Sequence, residues 1–125
     1  MNRWVLPINI KKCDIVSLLR TTDTLVWKAK KKFAKDDIVY LYLASPIQEI
    51  RYRCVCINEN VSSEILENYA YAKEREVNRY AMFKVEKVYA EGLMPWEELH
   101  KNGLGQVLLP SKIYAQLDTY ITSKE

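Results

Sequence analysis

The chain has 125 residues, of which 49% are hydrophobic and 28% are charged, the composition of a soluble globular domain. We expect a single domain over residues 1–125, either complete or as the N-terminal domain of a longer protein. No apolar stretch reaches the roughly 18 residues of a membrane span, and the start of the chain lacks the apolar segment of a signal peptide. These features predict a cytoplasmic protein with no membrane partner.

Three short segments rich in β-branched and aromatic residues predict strands in the first part of the chain. They are residues 3–9, 24–29 and 36–45. We expect Pro7 to end the first of them, because proline cannot donate to a strand ladder. Between the first two segments, Ile15, Leu18 and Leu19 recur at helical spacing, which predicts a helix over residues 11–23.

The next predicted strand, residues 48–60, alternates most clearly, and we expect it to form a hairpin with the strand before it. One face of this strand is mainly apolar and consists of Ile50, Tyr52, Cys54 and Cys56. The other face carries Arg51, Arg53, Val55 and Ile57.

The second half of the chain predicts helices over residues 62–77, 95–103 and 110–124, with a strand over 78–92. Ser62 is a favourable N-cap. Pro95 and Gly103 stand at the start and just past the end of the second of these helices, as is typical. The last helix is amphipathic, with Ile113, Leu117 and Ile121 spaced by four. Strands and helices alternate without βαβ regularity, which predicts an α+β fold.

Few groups are suited to catalysis or metal binding. The chain has one histidine, His100, and three cysteines. The pair Cys54 and Cys56 supplies only two of the four ligands of a zinc site. No phosphate-binding glycine loop or nucleophile elbow is present. We therefore expect a binding module rather than an enzyme, with no metal and no cofactor.

A basic cluster directly follows Trp27. Five lysines lie within eight residues, namely Lys28, Lys30, Lys31, Lys32 and Lys35, although the net charge of the chain is only +3. A local basic patch favours binding to phosphates. An aromatic side chain beside it favours stacking on a nucleic-acid base.

Three segments resemble the EVE domains of the PUA-like superfamily. They are "RWVLPIN" (3–9), "LVWK" (25–28) and "DDIVYLYLASPIQEIRYRCVC" (36–56). The later "MFKVEKVYAEGLMPWEELHKNGL" (82–104) is similar to the end of such domains, and Asp36 stands where the family has a glycine. The resemblance implies a PUA-like fold, with a central, mostly antiparallel curved sheet or small barrel flanked by helices.

EVE domains are structurally related to YTH domains, which read N6-methyladenine in an aromatic cage. The resemblance therefore implies that the chain binds DNA and reads a modified base, a methylated one in the first place, that is flipped out of the duplex. It implies a specificity module of a modification-dependent restriction system, with catalysis in a fused or partner McrB-type GTPase or nuclease. The expected base pocket consists of Trp27, Trp4, Tyr42, Ser45 and Asn9. The expected phosphate contacts are Lys28, Lys30, Lys31, Lys32, Arg51 and Arg53.

Three alternatives remain open at this point. The first is an RNA-binding PUA-like reader of a modified nucleotide. The second is a small amidohydrolase like some ASCH domains, built from Lys28, a glutamate such as Glu74, and one of three threonines. Those threonines are Thr21, Thr22 and Thr24. The third is a protein-interaction domain without a ligand.

Overall fold

The computed structural model describes residues 1–69 and 79–125. The described strands are β1 (Arg3–Ile8), β2 (Thr24–Lys28), β3 (Ile38–Leu43), β4 (Glu49–Asn58), β5 (Tyr80–Val88) and β6 (Ser111–Lys112). The described helices are α1 (Ile15–Thr21), α2 (Ser63–Leu66), α3 (Trp96–Lys101) and α4 (Ala115–Lys124). In the described ranges, no helix has the length and apolar character needed to cross a membrane.

The six strands form one mixed sheet in the order β2-β5-β4-β3-β1-β6. β1 and β3 run parallel, and every other neighbouring pair is antiparallel. The expected hairpin between β3 and β4 is confirmed. The expected α+β fold with a mostly antiparallel, curved sheet and flanking helices is confirmed as well.

Both faces of the sheet are covered, because alternate strand residues enter two large cores. A third, smaller cluster joins Val26 and Tyr80 to Val61. The first core joins Trp4, Leu6, Trp27 and Tyr52 to α1, whose Ile15 is fully buried. Leu18 and Leu19 pack against the same core, so the stripe predicted for this helix is confirmed. The second core lies on the opposite face and joins strand residues to α3 and α4. Its strand members include Val5, Tyr40 and Tyr42, and its helix members are Leu99, Leu117 and Ile121.

The alternation of β4 changes phase at a bulge opposite Leu41 and Tyr42. Leu41 pairs with Tyr52, but Tyr42 pairs with Ile50, so Arg51 is an extra residue on β4. A bulge of one residue moves the following side chains to the other face. Ile50 therefore belongs to the second core and not to the face of Tyr52, so the prediction for Ile50 is wrong.

Pro7 lies inside β1 and does not end it. The carbonyl of Ile8 accepts a hydrogen bond from Ala44 on the β3 side, whereas the carbonyl of Arg3 accepts one from Ile113 on the β6 side. Strand alternation thus turns the nitrogen of Pro7 towards the β6 side. β6 pairs only with Trp4 and Val5. The missing N–H of Pro7 therefore falls beyond the end of β6, where a strand tolerates proline.

In the described second half of the chain, the types of the predicted elements are mostly correct, but several of their boundaries differ. α2 begins after Ser62, whose hydroxyl accepts from the Ile65 N–H as predicted, and ends at Leu66. The remainder of that predicted helix, from residue 70 on, lies outside the described residues. The segment 110–124 is not one helix, because Ser111–Lys112 pairs with β1 and α4 begins only at Ala115.

Candidate functional site

A cleft of about 420 Å³ lies where the two ends of the sheet curl towards each other. Leu6 and Pro7 of β1 line it from one side, and Trp27 and Lys28 of β2 from another. In the sheet order, β1 and β2 are separated by β3, β4 and β5. They can share a cleft only because the sheet curves. Residues 107–110, the segment that leads into β6, complete the lining.

The charged side chains described at the cleft are all positive. Four lysines line it, namely Lys11, Lys12, Lys28 and Lys30. Among the described lining residues there is no aspartate, glutamate or histidine. Lysine ammonium groups that line a cavity favour an anionic ligand.

Trp27 belongs to the first core and also lines the cleft. The residue is 8% exposed, so only a narrow part of it is accessible to a ligand. The Nζ of Lys28 lies 6.0 Å from the centroid of the Trp27 ring, at the outer limit of a cation–π contact. Trp27 thus packs the interior while its accessible part contributes to the cleft.

Two neutral polar side chains, Asn9 and Ser45, also line the cleft. The Oδ1 of Asn9 accepts from the Lys11 N–H at 3.1 Å, and its carbonyl accepts from Lys12 and Cys13. These bonds form an Asx turn, which brings Lys11 and Lys12 to the rim of the cleft. The Nδ2 of Asn9 and the hydroxyl of Ser45 have no hydrogen-bond partner within the described ranges, so both can bond a ligand.

The lysine segment after β2 is fixed by one aromatic side chain. Phe33 is 1% exposed and packs edge-on against Trp4 and Phe83, with ring centroids 5.0 and 5.4 Å apart. The guanidinium of Arg79 donates to the Phe33 carbonyl at 2.9 Å. This anchor places Lys30 in the cleft. Two other predicted phosphate contacts, Lys31 and Lys32, are exposed but do not line it.

Trp4, the second predicted wall of the base pocket, lies in the first core and does not line the cleft. Its indole Nε1 donates to Oδ2 of Asp37 at 3.0 Å. The same carboxylate accepts from the backbone N–H groups of Asn2 and Ala34. Burial alone would raise the pKa of Asp37, but these three donors hold it below its ordinary value. Trp4 and Asp37 together tie β1 to the turn before β3.

Tyr42 belongs to the second core, across the sheet from Trp27, and burial raises its pKa to about 12. A residue on that face cannot join a pocket with Trp27.

The two arginines predicted to contact phosphate also lie away from the cleft. Arg51 pairs with the buried Glu49 and lies 3.8 Å from Glu91. Arg53 pairs with Glu125 at 2.8 Å and lies 3.9 Å from Glu86. Of the predicted residues, the cleft thus brings together Trp27, Asn9, Ser45, Lys28 and Lys30.

Sequence reasoning missed the contribution of Lys11, Lys12 and the segment 107–110. Nothing in their local pattern relates them to Trp27. One local signal was available, namely the consecutive Leu108 and Leu109 in a segment that fits neither a strand nor a helix. Both side chains line the cleft and remain largely exposed.

The residues of the amidohydrolase alternative are not assembled at the cleft. Thr24 and Lys28 lie at opposite ends of β2, and none of the three candidate threonines lines the cleft. Glu74 lies outside the described residues. Cys13 does line the cleft, but burial and the nearby Asp14 raise the pKa of its thiol. In the two described ranges, no three His, Cys, Asp or Glu side chains are grouped to hold a metal ion.

No protein-family model and no curated protein matches the chain. Solved structures do match over nearly its whole length. A point variant of the ASCH protein of Zymomonas mobilis has a TM-score of 0.68 at 7% identity, covering 98% of each chain. A hypothetical protein of Leishmania major also has a TM-score of 0.68, at 14% identity, covering 98% of this chain and 93% of that one.

A third match is the NMR structure of Rpa0253 from Rhodopseudomonas palustris. Its TM-score is 0.66 at 8% identity, covering 99% of this chain and 92% of that chain. At such low identities the likeness establishes the fold alone. The structural neighbours include ASCH-domain proteins, which belong to the PUA-like superfamily, whereas the assignment of the chain to the EVE domains stays a prediction. The chain has the PUA-like fold.

Proposed function

We propose that the protein binds nucleic acid through this cleft and holds one unpaired or extruded nucleotide in it. The observation that carries the proposal is the lining of the cleft, which combines four lysines and part of Trp27 with no described acidic residue. Lysines supply the affinity for phosphates, and an aromatic surface supplies a contact for a base.

The size of the cleft favours a single nucleotide. Its volume of about 420 Å³ falls near the lower end of the range for small-molecule sites. A base that is still paired and stacked in a duplex cannot enter a cavity of this kind. The nucleotide therefore comes from a single strand or is flipped out of a duplex, as in enzymes that act on single bases.

Within the cleft, the base contacts the accessible part of Trp27 and the apolar side chains of Leu6 and Pro7. The Nδ2 of Asn9 and the hydroxyl of Ser45 bond the edge of the base. Lys11, Lys12, Lys28 and Lys30 bind the flanking phosphates. Trp4 and Tyr42 are not walls in this proposal, because both are buried in the two cores.

At a finer level, we propose that the base is read for a modification, as the resemblance to EVE domains implies. One local feature supports that resemblance. Asp36 has a φ of 75°, in the left-handed region that glycine adopts most readily. This is the position at which the family has a glycine. The protein then acts as a specificity module on modified DNA, with any catalysis in a fused or partner GTPase or nuclease.

Charge reversal tests the location of the site. We compare Lys12→Glu/Lys30→Glu with Lys31→Glu/Lys32→Glu, because both double variants change the net charge by the same amount. Only the first pair lines the cleft. Binding to a labelled single strand is measured by fluorescence anisotropy at several salt concentrations.

We expect the cleft variant to lose at least tenfold in affinity. Each lost phosphate contact lowers the slope of log K against log salt by about 0.7 for a single strand, so the slope should fall by about 1.4. The control variant should retain most of the affinity and most of the salt dependence of the unaltered protein. Equal losses in the two variants would mean that the protein responds to overall charge, and the cleft would not be the binding site.

Modified oligonucleotides test the finer proposal. Single strands and duplexes of DNA and RNA each carry one N6-methyladenine, one 5-methylcytosine, one hydroxymethylcytosine or no modification. A gain of tenfold or more, about 1.4 kcal/mol, with one modification would identify a reader and its nucleic acid. Equal binding of all bases would refute modification reading and leave nucleic-acid binding in place.

A further inference from the structure

Two leucines at the rim of the cleft are exposed to an unusual degree. Leu108 is 74% exposed and Leu109 is 52% exposed, and both line the cleft beside the four lysines. A single exposed leucine needs no explanation. A pair of consecutive leucines that project at the mouth of a basic cavity indicates an apolar partner that is also anionic.

The segment that carries this pair is held at both ends. Before it, Leu104 is buried in the second core, and its N–H donates to the Leu99 carbonyl at 3.0 Å. After it, Pro110 is buried, and β6 pairs with β1 at Trp4 and Val5. The two leucines therefore form the tip of an anchored loop.

We infer that Leu108 and Leu109 form a wedge that enters the base stack of a duplex beside the nucleotide held in the cleft. This inference rests on the proposed function and adds the means by which a nucleotide leaves the duplex. Apolar side chains inserted between base steps unstack and kink a duplex in other proteins. Here the lysines bind the backbone while the two leucines occupy the space that the extruded nucleotide leaves.

The base stack fits the pair better than an apolar protein or a lipid surface does. The leucines and the four lysines border one cavity of about 420 Å³, in which the proposed function places one nucleotide. A base stack with its phosphates presents the same combination, with apolar faces next to anionic groups at a short and regular spacing. Burying both leucines in the stack offsets part of the cost of unstacking.

The test uses Leu108→Ser/Leu109→Ser. Val88→Ser is the control, because Val88 is 66% exposed on β5 and does not line the cleft. The probes are a single strand and the matching duplex, each with one central 2-aminopurine. The fluorescence of 2-aminopurine rises when this base leaves the stack.

With the unaltered protein and with Val88→Ser, duplex binding should raise the fluorescence severalfold. The double variant should abolish this rise, and its affinity for the duplex should fall at least ten times more than its affinity for the single strand. An unchanged rise in the double variant would overturn the wedge. Failure of the unaltered protein to bind the single strand would overturn the proposed function, and the wedge with it.

A vesicle assay separates the inference from membrane insertion. Vesicles of phosphatidylcholine with phosphatidylserine are sedimented with each variant in high salt. We expect no salt-resistant binding. Salt-resistant binding that the double variant loses would assign the leucines to a lipid surface and overturn the wedge.

Discussion

Replacement of Asp37 by asparagine should destabilise the fold strongly, although the two side chains have nearly the same shape. Asp37 is 1% exposed, and its carboxylate accepts three hydrogen bonds. Oδ1 accepts from the Asn2 N–H at 2.9 Å, and Oδ2 accepts from the Trp4 indole and the Ala34 N–H at 3.0 Å each. An asparagine has one acceptor oxygen, so in either orientation its amide nitrogen faces at least one donor.

The expected magnitude follows from these contacts. Loss of a hydrogen bond to a charged group costs roughly 1.5–3 kcal/mol, and a neutral acceptor weakens the two that remain by about 0.5–1 kcal/mol each. The free energy of unfolding should therefore fall by about 2.5–5 kcal/mol, a large share of the 5–15 kcal/mol typical of a domain. Urea unfolding followed by tryptophan fluorescence measures the change.

Asp36→Asn is the matched control, because it removes the same charge from the neighbouring exposed residue. Asn tolerates the left-handed backbone at this position, where φ is 75°, so the effect should stay within about 0.5 kcal/mol. Trp4→Phe removes the indole donor, and in that background Asp37→Asn should cost about 1–2 kcal/mol less. Equal effects at residues 36 and 37 would refute the view that Asp37 ties β1 to the turn before β3.

The pH dependence of Asp37 provides a second check. The pKa of Asp37 in the folded protein lies below its ordinary value. The contribution of this carboxylate to the free energy of unfolding is therefore complete above about pH 4. It is lost as the pH falls through the lower pKa of the folded state. Asp37→Asn should therefore reduce the loss of stability of the protein in acid, and an unaltered acid profile would contradict the assignment.

Two further predictions concern Glu125 and Cys13. Burial alone would raise the pKa of Glu125, but the hydrogen bond from Tyr89 and the charge of Arg53 lower it. Glu125→Gln should therefore lower the free energy of unfolding by about 1–3 kcal/mol at pH 7, and by progressively less as the pH falls through the pKa of Glu125 in the folded protein. Thermal unfolding at several pH values measures this change. Cys13 is the most accessible thiol, since Cys54 and Cys56 are buried. Iodoacetamide should therefore label the native protein at Cys13 alone, and only slowly at pH 7, because the pKa of this thiol is raised. Detection of labelled Cys54 by mass spectrometry would contradict this packing.

The strands could be predicted from the sequence because local patterns determine them. β2, β3 and β4 each carry a run of β-branched and aromatic residues. β6 could not be predicted, because two residues, Ser111 and Lys112, hold no pattern and become a strand only by pairing with β1. The bulge at Arg51 could not be predicted either, because a shift of one residue in the register of β4 depends on its pairing with β3.

The candidate site was predictable only where it is local in the chain. Trp27 and Lys28 are neighbours in sequence, so an aromatic residue and a basic residue in one cleft could be expected. The place of Trp4 could not, because its indole bonds Asp37, which lies 33 residues later. A Trp in a strand looks the same whether it forms a pocket wall or packs in the core, and only the long-range hydrogen bond and the packing of Phe33 distinguish the two.

The position of the cleft follows from the way the sheet curves without closing. β2 and β6 are the two ends of the strand order, and they are not paired with each other. A closed barrel would satisfy these edges with strand hydrogen bonds, whereas the curved sheet leaves a gap that loops must line. The Asn9 turn supplies Lys11 and Lys12, the end of β2 supplies Lys28, and the Phe33 anchor supplies Lys30. Although the net charge is only +3, four lysines line one cavity, so the phosphate binding that we propose should depend on these four residues rather than on overall charge.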